Sequence, residues 1–101
     1  MAELKSMISS SKVLVLSKSY CPYCSRAKGL LTSLNAKGVD VVELDVRADG
    51  PALQAAAQEI TGQRTVPNIF INGKHVGGSD NLSALNARGE LVTMLKEASA
   101  L

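Results

Sequence analysis

The chain has no tryptophan, one phenylalanine and two tyrosines in 101 residues, so any core must rest on aliphatic side chains. No apolar run approaches the ~18 residues that a membrane-crossing helix needs. Cysteine is scarce: Cys21 and Cys24 are the whole inventory, fewer than a small secreted disulfide scaffold normally carries. A four-ligand zinc site would need two further ligands, and the single histidine, His75, is a lone candidate, so no metal is expected. A net charge of +2 is too small to imply nucleic-acid binding. The opening Met1 to Ser11 has too short an apolar stretch for a signal-peptide core and lacks the arginines of a transit peptide. The expected location is therefore cytoplasmic, with no membrane partner.

What is present is ordinary for a folded protein, with 46% hydrophobic and 20% charged residues. The length suits one domain, residues 1–101, with a core spanning about 13–95. Val13-Leu14-Val15-Leu16 is a continuous apolar run, as expected of a strand covered on both faces. Pro22 suits the first turn of a helix. Ala27, Leu30, Leu31 and Leu34 continue that helix at helical spacing, and Gly38 is expected to stop it after Asn35 to Lys37. Val39 to Val46 reads as a second strand, with Val42, Leu44 and Val46 on one face and Glu43 and Asp45 on the other. Strand, helix and strand without a hairpin turn imply a parallel βαβ unit.

Asp49-Gly50-Pro51 then opens a second helix bearing Leu53, Ala56, Ala57 and Ile60, which ends at Thr61-Gly62. Pro67 to Ile71 reads as a third strand, and Asn72-Gly73 is a strong hairpin signal that returns Lys74-His75-Val76 antiparallel. Gly77-Gly78 breaks that strand. Ser79 or Asp80 can cap a helix with Leu82 and Leu85, and Gly89 separates it from a last helix with Leu91, Val92, Met94 and Leu95. The expected class is α/β, a four-stranded mixed sheet with helices on both faces.

Charge is unevenly spread. Residues 1–34 hold Lys5, Lys12, Lys18, Arg26 and Lys28 against Glu3 alone. Residues 35–60 hold Asp40, Glu43, Asp45, Asp49 and Glu59 against Lys37 and Arg47. Both cysteines lie in the basic part, which favours a thiolate and attracts small anions. A CxxC placed after a buried strand and opening a helix puts its first cysteine at unpaired N–H groups and the positive end of the helix dipole. Cys21 is thus expected to ionise easily and attack, and Cys24, one turn inside, to resolve.

Cys21-Pro22-Tyr23-Cys24, Thr65-Val66-Pro67 and Gly77-Gly78-Ser79-Asp80, in this order and spacing, resemble the dithiol glutaredoxins from about Val13 to Leu95. The resemblance implies a thioredoxin fold and a glutathione-dependent thiol–disulfide oxidoreductase. Such an enzyme reduces protein–glutathione mixed disulfides through Cys21, and protein disulfides through Cys21 and Cys24. Lys18 matches the family lysine that supports the thiolate and meets the glycine carboxylate of glutathione. Tyr23 matches the tyrosine flanking the groove, although on residue chemistry alone it is equally a half-exposed packing residue. Thr65, Val66 and Pro67 match the segment whose proline is cis and whose Val66 backbone pairs with the cysteinyl part of glutathione. Ser79 and Asp80 match the pair that receives the γ-glutamyl end. Gln54 aligns with a position that contacts the glycine carboxylate, and Arg64 adds charge there.

The implied partners are glutathione, glutathionylated or disulfide-containing proteins and, indirectly, glutathione reductase, with the chain acting as a monomer. Glutathione is a co-substrate, and no tightly bound cofactor is expected. Ser79 stands where some relatives have a further cysteine, so no third redox-active thiol is available. The alternative from another class is an iron–sulfur carrier or sensor, which Pro22 between the cysteines disfavours. A thioredoxin would carry Trp-Cys-Gly-Pro-Cys, and this chain has no tryptophan.

Overall fold

The computed structural model describes residues 1–101. Its elements run α1 (Ala2–Ser10), β1 (Val13–Ser17), α2 (Pro22–Ser33), β2 (Val39–Glu43), α3 (Gly50–Thr61), β3 (Asn68–Ile71), β4 (Lys74–Gly77), α4 (Ser79–Ala87) and α5 (Glu90–Glu97). The strands order β2-β1-β3-β4, with β1 parallel to β2 and antiparallel to β3, and β3 antiparallel to β4. This is the mixed sheet expected from the element order. No helix is long and apolar enough to cross a membrane.

The continuous apolar run of β1 is explained by its two neighbours in depth. Successive side chains point to opposite faces of a strand. Val13 and Val15 join Ile69 and Ile71 against α2, α4 and α5, through Ala27, Leu31, Leu82, Leu91 and Leu95. Leu14, Leu16 and Phe70 face the other way, onto Leu53, Ala56 and Ala57 of α3 and Leu4 of α1. At about 25 cal/mol per Å² of apolar area, these two aliphatic layers supply most of the driving force for folding. The buried set reaches Leu4 near one end and Ala100 near the other, whose carbonyl accepts from Lys37 N–H at 2.7 Å.

Several boundaries differ from the sequence reading, each for a local reason. α1 was not anticipated; its Leu4, Met7 and Ile8 have helical spacing but form a stripe too short to stand out before α3 is there to receive it. α2 ends at Ser33, not after Lys37. Asn35 takes the left-handed conformation (φ 58°), and Ala36 N–H returns to the Leu31 carbonyl, so asparagine terminates the helix ahead of Gly38. β2 stops at Glu43, and Asp45 and Val46 lie in a turn with Val46 72% exposed. Only Val42 and Leu44 of the proposed apolar face are buried. Ile60, placed on the buried stripe of α3, is exposed.

Two glycines have a clear structural reason. A Cβ on Gly50 would lie 1.8 Å from the Leu44 carbonyl oxygen, so only glycine lets α3 start this close to the end of β2. Gly77 adopts φ 117° where Val76 bulges out of the β3–β4 pairing. A Cβ there would meet Asn81 Oδ1 at 2.5 Å.

Candidate functional site

Cys21 sits between β1 and α2 as the residue capping the helix (φ −86°, ψ 119°), with Pro22 in the first turn. Its sulfur accepts from the Cys24 backbone N–H at 3.4 Å. The sulfur therefore does the work usually given to a serine or aspartate oxygen, satisfying one of the unpaired donors of the first turn. Burial pushes the Cys21 thiol up. The Cys24 N–H, the Cys24 thiol, the Tyr23 N–H and the Lys28 charge together outweigh it, and the net position is below the ordinary thiol value. Cys24 is fully buried on α2, and that burial pushes its thiol up. Both cysteines are free. The pair is thus split into an easily ionised, accessible sulfur and a shielded one that keeps its proton.

The loop before Cys21 is tied to the end of β2. Asp45 accepts from both the backbone N–H (3.0 Å) and the hydroxyl of Ser19. These bonds, the hydroxyl first, hold the Asp45 carboxyl below the usual carboxylate value, with a smaller contribution from Lys18. The Lys18 carbonyl accepts from Cys21 N–H at 3.1 Å. The Lys28 charge, part of the basic stretch in the sequence, adds a smaller contribution that favours the Cys21 thiolate.

Across from the thiol lies the loop before β3. The Val66–Pro67 peptide bond is cis, and the Val66 carbonyl faces Cys21 Sγ at 3.9 Å. A groove of about 330 Å³ runs from here, lined by Tyr23, Gln63, Thr65, Val66, Pro67, Gly78, Ser79, Asp80 and Asn81. Six of the residues nominated from the sequence, Tyr23, Thr65, Val66, Pro67, Ser79 and Asp80, therefore share one concavity next to Cys21. Lys18 and Gln54 are outside its lining. The Gln54 amide donates to the Arg64 carbonyl at 2.9 Å, and the Arg64 guanidinium to Gln58 Oε1 at 3.0 Å, which fixes both at the Thr65 end.

Two lining residues were missed. Gln63 Nε2 donates to the carbonyls of Thr65 (3.1 Å) and Pro67 (3.0 Å), so one side chain braces the whole turn. No sequence pattern marked it. Asn81 Oδ1 accepts from Gly78 N–H at 2.9 Å. Gly78, not Ser79 or Asp80, is the residue preceding α4, which leaves the N–H groups of Ser79 and Asp80 in the first turn without intrahelical partners, on residues that line the groove. The three-residue spacing of a capping box was the available signal.

His75 stacks on Phe70 (5.2 Å between ring centres), and its Nε2 contacts Asn68 Oδ1 at 2.8 Å. The residue is exposed overall, and partial desolvation of its ring pushes the imidazole below the usual value. No group of three or more histidine, cysteine or acidic side chains is placed to hold a metal ion.

The family model described as glutaredoxin matches residues 13–76. A glutaredoxin of Ricinus communis is 52% identical over 101 residues, spanning all of this chain and 98% of its own. Glutaredoxin-C6 of Oryza sativa subsp. japonica is 52% identical over the whole chain and 89% of its own length. Among solved structures, a buckwheat glutaredoxin–glutathione complex superposes with a TM-score of 0.96 at 46% identity, covering 99% of this chain and 90% of that one. A wheat glutaredoxin does so with a TM-score of 0.95 at 52% identity, over 99% and 93%.

Proposed function

The chain belongs to the glutaredoxin family of thiol–disulfide oxidoreductases and has its thioredoxin fold; we propose that its principal task is removal of glutathione from protein–glutathione mixed disulfides. The observation that carries this reading is the sulfur of Cys21, capping α2 at the mouth of the groove with its thiol held below the ordinary value.

In the first step the Cys21 thiolate attacks the glutathione sulfur of the mixed disulfide. The S–S bond breaks, the protein thiolate leaves and takes a proton, and glutathione is left on Cys21. A second glutathione thiolate attacks that glutathione sulfur, giving oxidised glutathione and restoring the Cys21 thiolate. Oxidised glutathione is then reduced by glutathione reductase. For a protein disulfide, the Cys21 thiolate attacks one sulfur and the other leaves as a thiolate; Cys24, losing its proton, then attacks the Cys21 sulfur, the second protein thiolate leaves, and the resulting Cys21–Cys24 disulfide is reduced by two glutathiones. Burial favours the protonated form of Cys24, which biases the Cys21–glutathione adduct toward the second glutathione.

The groove supports a definite pose. The backbone of Val66, a half-buried residue lining the groove, offers strand-like pairing to the cysteinyl portion. The first-turn N–H groups of Ser79 and Asp80 receive the γ-glutamyl carboxylate, and the Asp80 carboxylate accepts from its ammonium. Tyr23 and Thr65 wall the groove, and Lys18 and Gln54 meet the glycine carboxylate at its edge. A monomer in the cytoplasm, where glutathione keeps thiols reduced, suits this chemistry. Cys21→Ser should abolish both reactions. Cys24→Ser should keep turnover of a small glutathione mixed disulfide and lose reduction of a protein disulfide. Deglutathionylation by Cys21→Ser would sink the proposal.

A further inference from the structure

Lys28 stands seven residues after Cys21 and four after Cys24, so it shares their side of α2 at two-turn and one-turn spacing. Helical side chains lean toward the N-terminus, which carries its ammonium back toward the dithiol end. There it donates to Glu43 Oε2 at 2.9 Å. Glu43 ends β2, in register with Ser17, the last residue of β1. The two side chains are only 27% and 26% exposed, and Glu43 Oε1 is buried with no hydrogen-bond partner. An orphaned carboxylate oxygen carries a desolvation cost, so the arrangement is a poor choice if stability were its only purpose.

We propose that Lys28 and Glu43 set the strength of the positive field at Cys21, the ammonium favouring the thiolate and the carboxylate restraining that field and fixing the ammonium in place. This rests on Cys21 being the attacking thiolate. Lys28 is a positioning residue, acting through the Cys21 sulfur without contact to substrate. The other charges around the site, Lys18 among them, are the same in every variant compared. Arg26 lies over the Tyr23 ring at 5.2 Å, Arg64 is bonded to Gln58, and Asp45 is held by Ser19 with Lys18 acting on it. Asp80 belongs to the groove end. Consistent with the geometry, Lys28 is the one charged side chain among the causes that lower the Cys21 thiol.

The test uses the Cys24→Ser protein, in which Cys21 is the sole thiol, and follows alkylation by iodoacetamide against pH at low salt. Seven residues are about 10 Å of helix axis, and a unit charge at that range changes the thiolate fraction roughly two- to fourfold in a largely aqueous surrounding. Lys28→Gln should lower the alkylation rate at acidic pH by that factor. Glu43→Gln should raise it about twofold, and Lys28→Arg should match the parent. The exchange Lys28→Glu with Glu43→Lys keeps a pair and protects the fold, yet should lower the rate because the acid now sits on α2. Added salt should shrink all these differences. If both glutamine variants shift the profile the same way, or neither does, or the exchange restores the parent profile, the inference is overturned while the reading of Cys21 stands. If the parent itself titrates as an ordinary thiol, that reading falls, and this inference with it.

Discussion

Gln63→Ala removes the brace across the loop that presents Val66 to the groove. Its amide donates to Thr65 at 3.1 Å, where the bond is exposed, and to Pro67 at 3.0 Å, where it is partly buried. Each such bond is worth about 0.5–1.5 kcal/mol net. With the exposed one discounted, the loss is about 1 kcal/mol. The loop has a second anchor, the Asn68 amide donating to the Gln63 backbone carbonyl at 3.5 Å, so it loosens without coming apart. If that energy serves to hold the Val66 backbone ready for glutathione, about 1 kcal/mol is about fivefold in affinity. The assay is turnover of a small glutathione mixed disulfide with glutathione varied, coupled to NADPH through glutathione reductase. KM for glutathione should rise about fivefold with kcat little changed. The pH profile of Cys21 alkylation should not move, since Gln63 touches neither cysteine. The melting temperature should fall by roughly 4–8 °C. A lowered melting temperature with unchanged KM would refute the reasoning, because the brace would then be structural only.

Three further outcomes follow from the same geometry. Gly50→Ala must drive a methyl group into the Leu44 carbonyl, 1.8 Å away; a loss of about 3 kcal/mol is expected, and denaturant titration showing under 1 kcal/mol would contradict the close approach. His75 has its imidazole pushed below the ordinary 6.5 by partial desolvation of the ring. The folded state thus prefers the neutral ring, so stability is full above pH 6.5 and declines as pH drops toward the folded value; His75→Gln should remove that slope from a series of melting curves, and an unchanged slope would exclude His75 as its source. Asp45 is held below its ordinary 3.8 chiefly by the Ser19 hydroxyl. Its contribution is therefore present above pH 3.8 and lost as pH falls through the lower folded value, and Asp45→Asn should lose less stability over that acid window than the parent does.

How much of this was legible in the chain depends on the range of the forces involved. The nucleophile was legible because its environment is local. A strand, a cysteine, a proline and a helical stripe follow one another within about twenty residues, and the N–H groups that hold the sulfur belong to the next turn. The Asn72-Gly73 hairpin was legible for the same reason: both residues take left-handed φ, 54° and 77°, in one tight turn. Even the double coverage of β1 followed from four adjacent apolar residues. The two remaining groove motifs, by contrast, had meaning only through the family resemblance. Nothing within Thr65-Val66-Pro67 or Ser79-Asp80 says that they meet.

What the amino-acid sequence determined by itself is therefore the class of fold, the dithiol and the division of roles between Cys21 and Cys24. Periodicity, turn chemistry and helix-end electrostatics act over a few residues and can be read in order along the chain. Only the tertiary structure decided which charges act and which are spent. The basic first third and the acidic middle do not remain separate fields: Lys28 closes on Glu43 and Arg47 on Glu3 and Asp49. It also placed Gln63 and Asn81 in the groove and gave α1 a core to join. Hydrogen bonds act only at contact, and Coulomb interactions are screened beyond about 10 Å at moderate salt, so their partners are set by which elements pack together, and sequence separation carries no information about that distance.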